Sequence, residues 1–371
     1  MITILPAELY RIVYFVVLTA LTLTYYRKLA NATQRGVMMA PKPYTLMVTF
    51  AVAFIIVVGL RPISSAFGDT VNYARTYFMM QDGLQDAPTP GDGEYVFNLL
   101  MWNCAKVMPV QWFFFIIEIG YVLPLVLACW RMDRRNAPIL LLFTMSAFSF
   151  FSFGTNGLRN GLACSLVFLA LTYIRGNVLD KWVCGGLCFL AFNIHRSSLL
   201  PIAAMVLTWF YRKPRTMYYF WVASIFVSLV AGGAVSNFFA SLGFDDRMSS
   251  YFVMDDEDAQ QFSRTGFRWD FLLYSFMPLW IAWYAIFKRR MCDMTYLMLF
   301  GMYVYSNAFW IMVIRSSFSN RFAYLSWFLY PVVLAYPMLR FPLWKQHHGR
   351  KTALVLLAHF AFTFLMWLIG K

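Results

Sequence analysis

The sequence predicts an all-α, polytopic transmembrane protein of about twelve spans. Three observations predict it. The 371 residues are 61% hydrophobic and only 13% charged, whereas soluble domains average about 45–50% apolar and about 25% charged. A mean hydropathy of +0.59 leaves no room for a sizeable soluble domain, so residues 1–371 read as a single integral membrane domain. Finally, apolar runs long enough or nearly long enough to cross the hydrocarbon (about 17–25 residues) recur along the chain, with basic clusters between them.

The first run, Leu9 to Tyr26, has no basic leader and no small-residue cleavage site, so it reads as a span and not as a signal peptide. The next candidates are 44–60, 110–130, 137–154 and 157–175. Two short runs follow, 182–194 and 198–211. They read either as truncated spans meeting at a polar turn or as one long broken helix. The series ends with 217–240, 270–287, 294–314, 322–339 and 352–369. The stretch 95–108 carries Asn98, Asn103 and Lys106 among apolar residues and reads as a helix lying in the membrane interface.

Cytoplasmic loops are enriched in Lys and Arg, which fixes orientation. Basic clusters stand at Arg27/Lys28/Arg35/Lys42, Arg131/Arg134/Arg135, Arg175/Lys181, Arg212/Lys213/Arg215, Lys288/Arg289/Arg290 and Arg340/Lys345/Arg350/Lys351. With twelve spans and both termini outside, all of them fall on the cytoplasmic side. The long loops 61–94 and 241–269 then lie outside, and both are acidic. The formal net charge of +14 is thereby accounted for as a topogenic signal, with no nucleic-acid partner required.

The positive charge left outside is carried by arginine: Arg61, Arg75, Arg159, Arg196, Arg247, Arg264, Arg268, Arg315 and Arg321. Lysine is absent there apart from Lys106 and the terminal Lys371. Topology does not choose between the two residues, but chemistry does. A planar guanidinium binds phosphate oxygens bidentately and tolerates partial desolvation, so the set suits a diphosphate at headgroup depth. Snorkelling to lipid headgroups is the structural alternative for each arginine.

Arg159 lies in Gly154-Thr155-Asn156-Gly157-Leu158-Arg159-Asn160-Gly161 at a helix start, where Asn156, Asn160 and the first backbone amides favour an anion. Arg321 and Tyr324 share one helical face. His195, in Asn193-Ile194-His195-Arg196-Ser197-Ser198, is a general base, a phosphate donor or a helix-end cap. Asp69, with Tyr73 one turn on if that segment is helical, is a second base candidate or else a solvated or capping carboxylate. Glu118, in mid-span, is expected to face protein interior. The run Asp255-Asp256-Glu257-Asp258 lacks the ligand spacing of a cation site. The six cysteines sit mostly inside apolar runs without a zinc set. No metal and no cofactor is expected, and no Walker-type phosphate loop is present.

Taken in order, these segments resemble the EpsG-like and Wzy-type family of polysaccharide polymerases. The matching pieces are Asp69 with Tyr73 in the first outer loop, the span start Arg159-Asn160-Gly161-Leu162-Ala163, the turn His195-Arg196-Ser197-Ser198, and Arg321 with Tyr324. Asn160 stands where the family usually has glutamine. The resemblance implies a GT-C-like membrane glycosyltransferase of the bacterial plasma (inner) membrane, with its site facing the periplasm. It would act on oligosaccharide repeat units carried on undecaprenyl diphosphate, with membrane lipids around it and a chain-length regulator as a candidate partner. Arg159, Arg196, Arg321, Tyr73, Tyr324, Asn156 and Asn160 would then hold the diphosphate, with His195, Asp69 and Arg159 at the chemistry. The rival classes are an O-antigen ligase, which usually has one dominant outer loop, and a lipid-linked oligosaccharide flippase, which would show internal repeats. A membrane O-acyltransferase ranks last, since the early Arg/His pairing it needs is missing.

Overall fold

The computed structural model describes residues 3–39, 44–91, 93–241, 266–315 and 319–369. All regular secondary structure among them is helical. Every one of the twelve apolar runs forms helix, but among the described residues six helices are long and apolar enough by themselves to cross a membrane: Leu9–Ala30, Val110–Met132, Pro214–Val235, Trp269–Lys288, Asn320–Arg340 and His348–Leu368. Thr45–Gly59, Leu158–Leu171 and Arg196–Phe210 are apolar but shorter. Run 137–154 is not one helix. It breaks at Ser146–Ser149, between Ala137–Met145 and Phe150–Thr155, where serine side chains compete with the backbone for helical carbonyls: the Ser146 hydroxyl donates to Leu142 O at 2.5 Å.

The chain forms two compact units, residues 1–195 with 338–371, and residues 196–337. In the first unit the helices are α1 (Leu9–Ala30), α2 (Gln34–Met39), α3 (Thr45–Gly59), α4 (Thr70–Gln81), α5 (Tyr95–Val107), α6 (Val110–Met132), α7 (Ala137–Met145), α8 (Phe150–Thr155), α9 (Leu158–Leu171), α10 (Val178–Ile194) and the C-terminal helix His348–Leu368. The inner layer is α6, packed on α3, α7 and α9; α9 is backed by α10, and α1 lies against the C-terminal helix. α9 is buried along nearly its whole length. α3 approaches α6 closely, since a Cβ at Gly59 would sit 2.8 Å from the Phe115 Cα.

α10 begins four residues before the apolar run read from sequence. A capping box sets that start: the Asn177 side chain accepts from the Asp180 amide at 2.9 Å, and Asp180 accepts from the Asn177 amide at 3.1 Å. At its other end His195 is extended (φ −152°, ψ 112°). The two short runs are therefore two helices, separated by His195 and a 3₁₀ turn at Arg196–Ser198.

The second unit is built around the helix Met294–Met312, which packs on Leu199–Phe210, Pro214–Ser241, Trp269–Trp283 and Asn320–Trp327. Asn307 centres a buried polar network there. It donates to Ser275 Oγ (3.2 Å) and Ser326 Oγ (3.0 Å) and accepts from Trp221 Nε1 (2.8 Å). Trp327 Nε1 also reaches Ser275 Oγ at 2.8 Å. Buried amides and indoles are costly unless fully paired, so this network fixes the rotation of the helices that supply it.

Candidate functional site

The site is built where the loop between α3 and α4 docks on the break between α8 and α9. Gly68 adopts φ +59°, and a Cβ there would lie 2.3 Å from Asn156 Oδ1. Glycine is thus required twice, by conformation and by contact. The turn brings the Asp69 amide onto Asn156 Oδ1 (2.8 Å) and the Thr70 hydroxyl onto the Thr155 carbonyl (2.8 Å). α4 starts there as a true helix, so Tyr73 stands one turn beyond Asp69. Asp69 is half-buried and its carboxylate accepts from Asn72 at 3.1 Å.

Arg61 lies under this junction. Neither its side chain nor that of Glu118 has any exposed surface, and the two are paired at 3.3 Å. Arg61 also donates to Val58 O (2.8 Å), Thr70 Oγ1 (3.1 Å) and Thr155 O (3.5 Å), and its guanidinium lies 4.8 Å from the Phe114 ring. The sequence reading placed Arg61 among arginines available to an anion at the membrane boundary. The structure corrects this, because every face of the group is occupied by protein. Glu118 faces protein interior as expected, with its other oxygen, Oε2, buried and without a hydrogen-bond partner.

Arg159 lies in the first turn of α9 and is only partly buried. Its Nε donates to the Tyr73 hydroxyl at 3.1 Å and its Nη1 pairs with Glu94. The guanidinium is 5.6 Å from the Tyr73 ring and 5.7 Å from that of Phe97. The second oxygen of Glu94 meets His195 Nδ1 at 2.5 Å. α10 packs on both α9 and α5, which carries His195 from the end of α10 to Glu94 at the start of α5. One carboxylate thus bridges an arginine and a histidine, and the three side chains are 14–18% exposed. Glu94 itself is left-handed (φ 59°, ψ 37°). That conformation is costly for a residue with a Cβ, and such outliers concentrate at functional sites.

The structure therefore gathers Tyr73, Arg159 and His195 around Glu94, with Asp69 and Asn156 on the adjoining turn. Asn160 is half-buried, and its amide oxygen accepts from the Cys164 thiol at 3.1 Å. Arg196, Arg321 and Tyr324 belong to the second unit. Arg196 is exposed in its 3₁₀ turn, and Arg321 is exposed on the helix Asn320–Trp327, one turn from Tyr324. Arg268 is held by Asp270 through two bonds of 2.9 and 2.8 Å. Arg247, Arg264 and the Asp255–Asp258 run lie outside the described residues. Among the described residues no cluster of His, Cys, Asp and Glu could hold a metal ion.

Sequence reasoning missed Glu94. It is 65 residues from Arg159 and 101 from His195, so no helical or strand period links them. The available signal was its place: an acid directly before an amphipathic helix, at the end of the loop that also carries Asp69 and Tyr73.

No curated protein and no solved structure matches the chain. The sequence model of the EpsG family matches residues 44–370, a stretch that contains the whole cluster, and the chain belongs to the EpsG family, which implies a membrane polysaccharide polymerase with a glycosyltransferase-like activity.

Proposed function

We propose that the protein is a Wzy-type polymerase. It transfers a growing glycan from undecaprenyl diphosphate to the non-reducing end of a new lipid-linked repeat unit on the periplasmic side of the bacterial inner membrane. The observation that carries this reading is the Glu94 bridge between Arg159 and His195 in a chain of the EpsG family. The positive-inside charge pattern, which puts both long loops and this cluster outside, supports the orientation. About twelve spans with both termini outside, and a GT-C-like arrangement, belong to the same proposal.

In the reaction the acceptor hydroxyl oxygen attacks the anomeric carbon, the sugar–phosphate C–O bond breaks, and undecaprenyl diphosphate leaves with the bonding pair. The hydroxyl proton passes to a base. A carboxylate on Nδ1 orients an imidazole and places its lone pair on Nε2, which favours His195 over Asp69 for that task. Negative charge grows on the leaving diphosphate, where preorganised guanidinium groups stabilise the transition state more than the ground state. Glu94 neutralises most of the Arg159 charge. As the family resemblance implies, Arg159, Arg196 and Arg321 are the candidate cations for the diphosphate, and Tyr73, Tyr324, Asn156 and Asn160 the candidate hydrogen-bonding partners of phosphate or sugar.

The test is reconstitution of the full-length protein in liposomes with the host's undecaprenyl-diphosphate repeat unit. A ladder spaced by one repeat, with release of undecaprenyl diphosphate, is the expected outcome. Transbilayer movement of an unchanged unit would make the protein a flippase, and reaction only on adding lipid A core would make it a ligase.

A further inference from the structure

The second unit carries a groove of about 500 Å³ that lies away from Arg321 and Tyr324 in sequence and is lined by other residues altogether. It runs between the helices Pro214–Ser241 and Trp269–Lys288. Tyr218, Tyr219, Trp283 and Phe287 form its walls, and Arg215 and Lys288 stand at one end. The Tyr218 hydroxyl donates to the Leu279 carbonyl at 2.7 Å and its ring lies 5.6 Å from that of Phe287. These contacts tie the two helices together along the groove floor.

A local departure from α-helix shapes the charged end. Residues Tyr284–Lys288 form a π turn, with the Arg289 amide on the Tyr284 carbonyl at 2.9 Å. In an α-helix of 3.6 residues per turn, Lys288 would stand about 140° around the axis from Trp283. In a π turn, closed between residues five apart, it returns to nearly the same face. Lys288 Nζ accordingly sits 5.3 Å from the Trp283 ring centre. Neither Lys288 nor Arg215 makes an ion pair with an acid among the described residues. Two cations with no acidic partner among the described residues thus line one mouth.

Below that mouth the wall is apolar and outward-facing. Only 22% of the most hydrophobic window of Pro214–Val235 is buried, and Val222, Phe226 and Val230 are exposed along it. For a helix apolar enough to cross a membrane, such a face is covered by acyl chains. The groove therefore offers an anion-binding mouth, an aromatic collar and a lipid-facing wall in one line. Aromatic and basic side chains in this order match the headgroup level of a bilayer.

We infer that this groove is a binding site for an anionic phospholipid, its phosphate held between Arg215 and Lys288 and its acyl chains laid along the Val222–Val230 face. The site is independent of the polymerase reading. Two basic side chains at a membrane surface favour an anionic over a zwitterionic headgroup on the order of tenfold.

The experiment uses the full-length protein in phosphatidylcholine nanodiscs, with acyl-brominated phosphatidylglycerol or acyl-brominated phosphatidylcholine as the probe. The Trp283 contribution to fluorescence is taken as the difference between wild type and Trp283→Phe. Quenching of that contribution is expected at about tenfold lower mole fraction of the brominated phosphatidylglycerol. The preference should disappear in the Arg215→Gln/Lys288→Gln double variant and persist in Arg212→Gln/Arg290→Gln, which removes the same charge at the same helix ends. Equal quenching by both probes in the wild-type protein would overturn the site. So would loss of the preference in both double variants, which marks diffuse surface attraction. Displacement of the brominated phosphatidylglycerol by millimolar inorganic phosphate would replace the lipid with a soluble anion. Unbrominated phosphatidylglycerol reversing the quench in wild type, where unbrominated phosphatidylcholine does not, supports the site without any variant.

Discussion

Arg61 and Glu118 meet with neither side chain exposed, whereas Arg159 and Glu94 meet with 14% and 15% of their side chains open. Both are arginine–glutamate pairs of the first unit. Arg61 has every direction filled by Val58, Thr70, Thr155 and Glu118. Arg159 keeps part of its surface open and shares its carboxylate with a histidine. The contrast separates holding from reacting. A fully enclosed ion pair has no access to substrate, and the desolvation of its two charges, several kcal/mol each, is offset by their mutual attraction and by the further bonds that Arg61 makes. A partly open pair next to a titratable ring retains chemistry. The first pair also serves the second: Arg61 ties α3, Thr70 of α4 and the Thr155 carbonyl, and so fixes the two segments that present Tyr73 and Arg159.

The contrast is broken most severely at Arg61. Arg61→Ala leaves the Glu118 carboxylate buried and unpaired, which costs about 3–5 kcal/mol. The expected result is a sharp fall in folded protein, read as membrane-extracted yield and melting temperature in detergent, with polymer lost as a consequence. Arg61→Met combined with Glu118→Leu removes both charges and is expected to recover much of that stability. A wild-type melting temperature in Arg61→Ala would show that the enclosed pair holds nothing.

His195→Ala is expected to shift the balance the other way. It gives up one bond to Glu94, about 1.5–3 kcal/mol, so yield and melting temperature fall less than in Arg61→Ala, while polymer formation falls by about 10²–10⁴. Normal polymer from that variant would remove His195 from the chemistry. Arg159→Lys keeps the charge but loses the fork that reaches Tyr73 and Glu94 together, so activity is expected to fall on the order of 10²-fold. Full activity with lysine would mean that charge alone suffices and that bidentate geometry at this position is irrelevant.

The sequence made helices legible because burial in a membrane leaves long apolar runs, and all twelve are helical in the structure. Their interruptions were less legible. The break at Ser146–Ser149 depends on hydroxyls that pair locally, and the same residues are tolerated inside other helices. Arg159, His195, Asp69 and Tyr73 stood out because polar residues beside apolar spans are costly and few. Arg61 was visible for the same reason but its surroundings were not. The clue lay in Glu118, a mid-span acid that needs a buried cation, and Arg61 is the one supplied. Glu94 was illegible because its role depends on α5, α9 and α10 meeting, and that packing leaves no period in the sequence.

Glu94 gives the most discriminating comparison, because the smallest difference is the one expected between two of its variants. Its left-handed backbone disfavours any residue with a Cβ by about 1–2 kcal/mol, a cost that glycine removes. Its carboxylate makes two charge-assisted bonds, each contributing about 1.5–3 kcal/mol. Glu94→Ala loses the bonds and keeps the strain, while Glu94→Gly loses the bonds and relieves it. The glycine variant is therefore expected to melt above the alanine variant, yet both should form polymer more slowly, on the order of 10²-fold, because Arg159 and His195 are no longer held together. A glycine variant with wild-type activity would reduce Glu94 to a turn residue. A glycine variant melting below alanine would instead show that the left-handed backbone is not strained. If melting separates the two variants and activity does not, strain and chemistry at this position are independent, and the carboxylate alone links the arginine to the histidine.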